Sequence, residues 1–173
     1  STYIPQRISE GYFNCSNNHL TNANTIPMVG YHTSILSNNA FNTPNIYFDG
    51  TTLDLSNNQF NNLTLFVSND FKNINLTGNP LTNLVFDGSK IMSGKPPLAA
   101  NFPDLSGFES LTDLKVLIPP QGKFNRVDLN QVNALTNLDF IANADTTILL
   151  RDLPSLTFLK INSKTAISIE NIN

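Results

Sequence analysis

Leu53-Asp54-Leu55-Ser56-Asn57-Asn58-Gln59-Phe60 aligns without a gap on Ile74-Asn75-Leu76-Thr77-Gly78-Asn79-Pro80-Leu81. Two further segments join them, FNCSNNHL from Phe13 to Leu20 and SILSNNAF from Ser34 to Phe41. Each reads apolar, Ser or Thr, polar, Asn, any residue, apolar. The residue before the Ser or Thr marks the unit, at Cys15, Leu36, Leu55 and Leu76, with steps of 21, 19 and 21. Side chains alternate along a strand, so in L-x-L the two apolar residues share one face. Leu53 and Leu55 are thus expected to point inward, and Asp54 and Ser56 outward. The same alternation predicts Ile74, Leu76, Leu114, Val116, Leu138, Phe140, Leu159 and Ile161 inward.

The second half carries a different slice of the pattern, in FESLTDLKV from Phe108, VNALTNLDF from Val132 and LPSLTFLKI from Leu153. With Leu98 and Asn101 read as a further coil, the markers run Cys15, Leu36, Leu55, Leu76, Leu98, Val116, Phe140 and Ile161. A mean step of about 21 predicts a repeat stack of about eight coils. One such coil cannot bury its apolar edge alone, and stability accumulates only as neighbours cover it above and below.

LDLSNNQF and INLTGNPL resemble the core L-x-x-L-x-L-x-x-N-x-L of the leucine-rich-repeat family, and the resemblance extends over roughly residues 13 to 162. It implies a right-handed solenoid with a parallel β-sheet on its concave face and turns or short helical segments on the convex side. Two departures stand out. The cysteine clusters that cap many extracellular members are absent, and the short coils leave little room for convex helices.

Composition agrees with a single repeat domain. The chain has 173 residues, 40% of them hydrophobic, enough for one continuous core. Only 13% are charged and the net charge is -3, which supplies no basic field for nucleic acid. Its polarity is mostly amide, with 27 Asn against 10 Lys plus Arg. The lone Cys15 allows no intramolecular disulfide. No run approaches the ~18 apolar residues of a membrane span, and the opening residues lack a signal peptide's apolar stretch, so no membrane insertion is expected. The predicted organisation is a cap or arm at 1–12, Asn-rich coils at 13–87, a Pro-containing irregular joint at 88–104 with Pro96, Pro97 and Pro103, and C-terminal coils at 105–173.

Asn18, Asn39, Asn58, Asn79 and Asn101 recur where the chain leaves a strand and its backbone groups lose their ladder partners. An amide side chain offers both donors and an acceptor, so this column is expected to be a structural ladder, with amides also bonding one another along the axis. Small residues that tolerate a crowded sheet account for Ser16, Ser37, Ser56 and Thr77, a polar surface being the other reading. No catalytic constellation is found. His19 and His32 lack metal-ligand spacing. Asp128, Asn130 and Asn133 fail as a calcium loop because Val132 stands at its fifth position and no glycine follows. Asp49-Gly50 and Asp87-Gly88 read as tight turns. Cys15, in the inward column, is expected to be an inert small hydrophobe. The sequons at Asn14, Asn62 and Asn75 are expected by chance in such a composition.

These readings predict a non-enzymatic binding or adhesion module without cofactor or metal, recognising a protein, with a glycan as the other partner class. The expected contact residues are Lys115, Leu117, Asp139, Ile141, Lys160 and Asn162, which mix aliphatic surface with charges of both signs. Asp54 and Asn75 are expected on the same concave face as weaker contributors. The alternative is a structural subunit of a larger assembly such as a virion, phage tail or surface appendage, whose partners are assembly neighbours. The expected setting is extracellular, at a cell surface or in a virion, with the cytoplasm as the alternative.

Overall fold

A computed structural model describes residues 11–26, 31–67, 71–88, 102–118, 126–130, 132–142, 147–163 and 167–170. Along them run β1 (Tyr12–Asn14), β2 (Thr33–Ile35), β3 (Asn45–Phe48), β4 (Thr52–Asp54), β5 (Asn62–Val67), β6 (Asn73–Asn75) and β7 (Asn83–Asp87). They continue as β8 (Asp113–Ile118), β9 (Arg126–Asp128), β10 (Asn137–Ala142), β11 (Thr147–Arg151), β12 (Phe158–Ser163) and β13 (Ile167–Glu170). Every pairing is parallel. Three sheets result: four short strands in the order β1-β2-β4-β6, six in the order β12-β10-β8-β7-β5-β3, and three in the order β13-β11-β9. From β2 to β7 the chain alternates between the four-stranded and the six-stranded sheet, and from β8 to β13 between the six-stranded and the three-stranded one, so it is a parallel β-solenoid of about six turns.

Two expectations are corrected here. The described residues make about six turns, against the eight coils expected. The side opposite the first sheet is not built of turns and short helical segments either: it carries the longer strands, and a single three-residue 3-10 turn, Ala23–Thr25, is the only helix among the described residues. Coils of about 21 residues that spend six residues on a second strand, as in β5, have no length left for a helix.

The second-half markers were also assigned to the wrong side of the coil. Val116 pairs with Phe86 and Phe140 with Val116, and Phe86 in turn pairs with Leu65, so Val116, Phe140 and Ile161 continue the six-stranded sheet and not the Leu55 column. The column of Cys15, Leu36, Leu55 and Leu76 continues instead through Leu105, Leu129 and Leu150, all buried. The link is a shared turn. Ser56 N donates to Asp54 Oδ1 and Thr77 N to Asn75 Oδ1, as Ser16 N does to Asn14, Ser106 N to Asp104 and Asn130 N to Asp128. These are Asx turns, in which a short polar side chain takes over a backbone N–H at the strand end. Leu98 and Asn101 lie outside the described residues, as do 1–10 and most of the joint.

The amides of Asn39, Asn58 and Asn79 bond to backbone groups where the chain leaves a strand, in their own coil and in the one before it. Asn58 Nδ2 donates to the carbonyls of Leu55 and Ser56 in its own coil and of Leu36 in the preceding one, and Oδ1 accepts from Phe41 N of that preceding coil. Asn39 repeats this on Cys15 and Leu20, and Asn79 on Leu55 and Phe60. Each amide therefore rivets two coils through their backbones, not through the neighbouring amide. The residue before the rivet adopts the left-handed conformation, with φ of 57° at Asn17, 55° at Asn38, 52° at Asn57 and 72° at Gly78. Asn and Gly are the residues that bear this conformation at least cost.

Beyond Asn79 the corners change chemistry. Leu129 and Leu138 are nine residues apart where Leu55 and Leu63 are eight. The extra residue lets the chain close its own short turns, Phe108 N to Leu105 O, Leu111 N to Phe108 O, Leu135 N to Val132 O and Leu156 N to Leu153 O. Apolar side chains at those turns then fill the space that the amides occupied. A second ladder takes over at the start of the large sheet. Thr112 Oγ1 donates to Thr82 O, Thr136 Oγ1 to Thr112 O, and Thr157 Oγ1 to Thr136 O, at 3.1 to 3.2 Å.

The inward set agrees with the burial. Leu53, Leu55, Ile74, Leu76, Leu114, Val116, Leu138 and Phe140 are buried and Ile161 packs against them half-buried. Leu159 departs from it at 39% exposed, because β12 is the outermost strand of its sheet.

Candidate functional site

The eight residues expected on one concave face divide between two sheets. Lys115, Leu117, Asp139, Ile141, Lys160 and Asn162 lie together on the outward face of the six-stranded sheet. Lys115, Asp139 and Lys160 are in register on β8, β10 and β12, and so are Leu117, Ile141 and Asn162. Asp54 and Asn75 are neighbours on β4 and β6 of the four-stranded sheet. Both are engaged locally: besides the Asx bonds, Asp54 Oδ1 accepts from Ser56 Oγ at 2.6 Å and Asn75 Oδ1 from Thr77 Oγ1 at 2.8 Å. Their position in the sequence marks a turn-forming residue.

On the large sheet the column of Leu117 and Ile141 runs back through Asp87 and Phe66 to Tyr47. Tyr47 and Phe66 stack at 4.4 Å with an interplanar angle of 9°, Tyr47 being 54% exposed. Leu117 and Ile141 are half-buried. Beside this column stands an ionic row. Asp139 takes Lys115 Nζ at 3.6 Å and Lys160 Nζ at 3.6 Å. Its Oδ1 is screened from solvent and has no hydrogen-bond partner.

A shallow groove lies on the far side of that row, lined by Asn83, Val85, Asp113, Lys115, Asn137, Asp139 and Phe158 over a floor of Leu84 and Leu114. Asp113 is fixed there by Asn137 Nδ2 at 2.6 Å and by Thr112 Oγ1 at 2.7 Å. A second groove follows the four-stranded sheet between Ile35, Asp54 and Asn75 on one side and Phe102, Pro103 and Asp104 on the other.

Other chemical groups are accounted for locally. Burial pushes the Cys15 thiol up to about 11, which keeps it protonated and unreactive at neutral pH. His19 and His32 are exposed. Among the described residues no group of three or more His, Cys, Asp or Glu is arranged to hold a metal ion, and no helix is long and apolar enough to cross a membrane. On β9, Asp128 Oδ2 accepts from Arg126 Nη2 at 2.7 Å and from Arg151 Nη2 of β11 at 3.0 Å. Burial opposes its charge, yet the two guanidinium bonds and charges outweigh burial and hold the carboxyl below the usual 3.8.

A group whose folded value is lowered stabilises the fold above its unfolded value, and that contribution is lost as pH falls through the folded value. Asp128→Asn, which keeps the Oδ1 that Asn130 N uses, is expected to lower stability at pH 7 by at most about 1 kcal/mol, the scale of an exposed ion pair. The deficit closes as pH drops below 3.8, and thermal melts of both proteins across that range check it.

Sequence reasoning missed the threonine ladder and the aromatic pair. The signal for the first was present, since Thr82, Thr112, Thr136 and Thr157 each follow a buried Leu and stand immediately before Asn83, Asp113, Asn137 and Phe158, which open β7, β8, β10 and β12. The second follows only from the pairing of β3 with β5. Comparison of the chain with family models, curated proteins and solved structures finds no match in any of the three.

Proposed function

We propose that the chain is a non-enzymatic binding module of the leucine-rich-repeat kind, which recognises a macromolecular partner, a protein or a glycan, through the outward face of its six-stranded sheet. The repeat assignment is supported by LDLSNNQF and INLTGNPL together with the bonds of Asn58 and Asn79 to the strand-end carbonyls. The binding assignment is carried by one observation: Leu117 and Ile141 stand half-exposed on the parallel sheet beside the Lys115, Asp139 and Lys160 row. Apolar groups ringed by charges on a rigid surface have the composition of an interface core and its rim. Changing Leu117 and Ile141 together to Ser is expected to weaken capture of a partner about tenfold or more, while Asp54→Ala with Asn75→Ala, on the other sheet, leaves it within about twofold once folding is verified by circular dichroism. Equal binding by the two double variants would remove the assignment.

The second reading, a building block of a larger assembly, is favoured by the last turn, where Phe158, Leu159 and Ile169 are 51%, 39% and 52% exposed. Mass measurement in solution separates the two: a monomer supports the binding module, and concentration-dependent self-association supports the assembly subunit.

A further inference from the structure

We propose that the groove beside the ionic row of the large sheet, on the side away from Leu117 and Ile141, is a subsite for one unit of an uncharged saccharide; this rests on reading that sheet as the binding face and names the chemistry of one of its ligands. A sugar ring presents hydroxyls that donate and accept at its rim, and C–H faces that pack on an aromatic ring. The groove offers both. Asn83 and Asn137 bring amides that donate and accept, Asp113 and Asp139 bring acceptors, and the ring of Phe158, 51% exposed, closes one end.

The polar groups are held in place before any ligand arrives. Asn137 Nδ2 and Thr112 Oγ1 fix Asp113, and the two lysines fix Asp139. All stand on strands whose inward neighbours Leu84, Leu114 and Leu138 are 1%, 2% and 0% exposed, so little ordering entropy is left to be lost on binding. Asp139 Oδ1 lacks a hydrogen-bond donor, with Lys160 Nζ at 3.6 Å over it. Lys160 is exposed, and a hydroxyl that displaces its ammonium would supply the missing bond. Lys115 lines the groove with Asp113 and Asp139, and Lys160 pairs with Asp139 from beside it, so these four charges cancel and do not select an anionic or cationic ligand. The cavity, about 170 Å³, holds one ring and opens along the sheet towards Val85 and, on the adjacent strand, its register partner Thr64.

The test uses the full chain on an array displaying neutral, sialylated and sulfated oligosaccharides, followed by NMR titration with the neutral oligosaccharide retained most strongly. Neutral glycans are expected to be retained ahead of charged ones, with the side-chain amide signals of Asn83 and Asn137 shifting on titration. Phe158→Ala and Asn137→Ala, both at exposed positions, should each weaken binding about tenfold, a change of ~1.4 kcal/mol. Asp54→Ala with Asn75→Ala, on the four-stranded sheet, should leave it within about twofold. Retention of no neutral glycan, retention of charged glycans alone, or unchanged binding by both the Phe158 and Asn137 variants overturns the proposal. Should no glycan bind while a protein is captured through Leu117 and Ile141, the saccharide subsite falls and the binding face stands.

Discussion

Asn58→Leu is expected to destabilise the fold by ~3 kcal/mol, although the two side chains have the same number of non-hydrogen atoms and the same branching. Asn58 is 6% exposed and serves four backbone groups, the carbonyls of Leu36, Leu55 and Ser56 and the N–H of Phe41. Leucine satisfies none of them. A buried polar group left unpaired costs ~1–3 kcal/mol, and some of the four will find water or a relaxed geometry, which is why the sum stays well below four full penalties. For a chain of this length that corresponds to a fall of roughly 10 °C in melting temperature. Asn57→Gly next door is the control, because glycine adopts the φ of 52° found there without strain and a shift of only a degree or two is expected. If both variants melted with the wild type, the amide rivets would hold nothing.

Phe86→Ala is expected to cost about 4 kcal/mol, the largest loss from any single truncation considered, because a buried aromatic leaves both its transfer energy and an unfilled cavity. Phe86 is 1% exposed, with the ring of Phe71 at 5.4 Å and that of Phe102 at 5.5 Å. It pairs with Leu65 on one side and Val116 on the other, at the boundary where amide corners give way to the tighter apolar turns. Stacked repeats are held together by nearest-neighbour contacts. A cavity at this boundary weakens the packing between the two blocks, so denaturant unfolding followed by amide exchange should separate into two steps. A single sharp transition at unchanged midpoint would show that the blocks do not couple through Phe86.

The sequence made the first half legible because two independent marks coincide there. Leu55 and Leu76 carry the alternation, and Asn58 and Asn79 fix which side of the coil they are on. In the second half only the alternation survives, and it reads the same on both sides of a two-strand coil. Val116, Phe140 and Ile161 were therefore joined to the column of Leu55, although they belong with Leu65 and Phe86. The distinguishing residue was the Asx side chain: Asp104-Leu105-Ser106 and Asp128-Leu129-Asn130 repeat Asp54-Leu55-Ser56, and the markers then step 21, 19, 21, 29, 24 and 21 from Cys15 to Leu150. Inside and outside were still told apart, since that depends on parity alone, and parity is indifferent to which sheet a strand joins. For the same reason Lys115, Leu117, Asp139, Ile141, Lys160 and Asn162 came out on one face, while Asp54 and Asn75 were carried onto it in error. The stacked Tyr47 and Phe66 could not be foreseen, because β3 carries none of the repeat's marks.

The rivet geometry also bears on how such a molecule lengthens. Asn39, Asn58 and Asn79 each reach back one coil and never forward, so a coil brings with it the bolts for the coil beneath it. A duplicated stretch of about 21 residues, inserted anywhere between Cys15 and Leu76, would arrive with its own fastening already in the right direction and meet an identical socket above. The same stretch inserted beyond Leu105 would present an amide to corners that close on themselves. Growth by tandem duplication is thus open in one half of the chain and barred in the other, and the polarity of the amides sets the direction in which it can proceed.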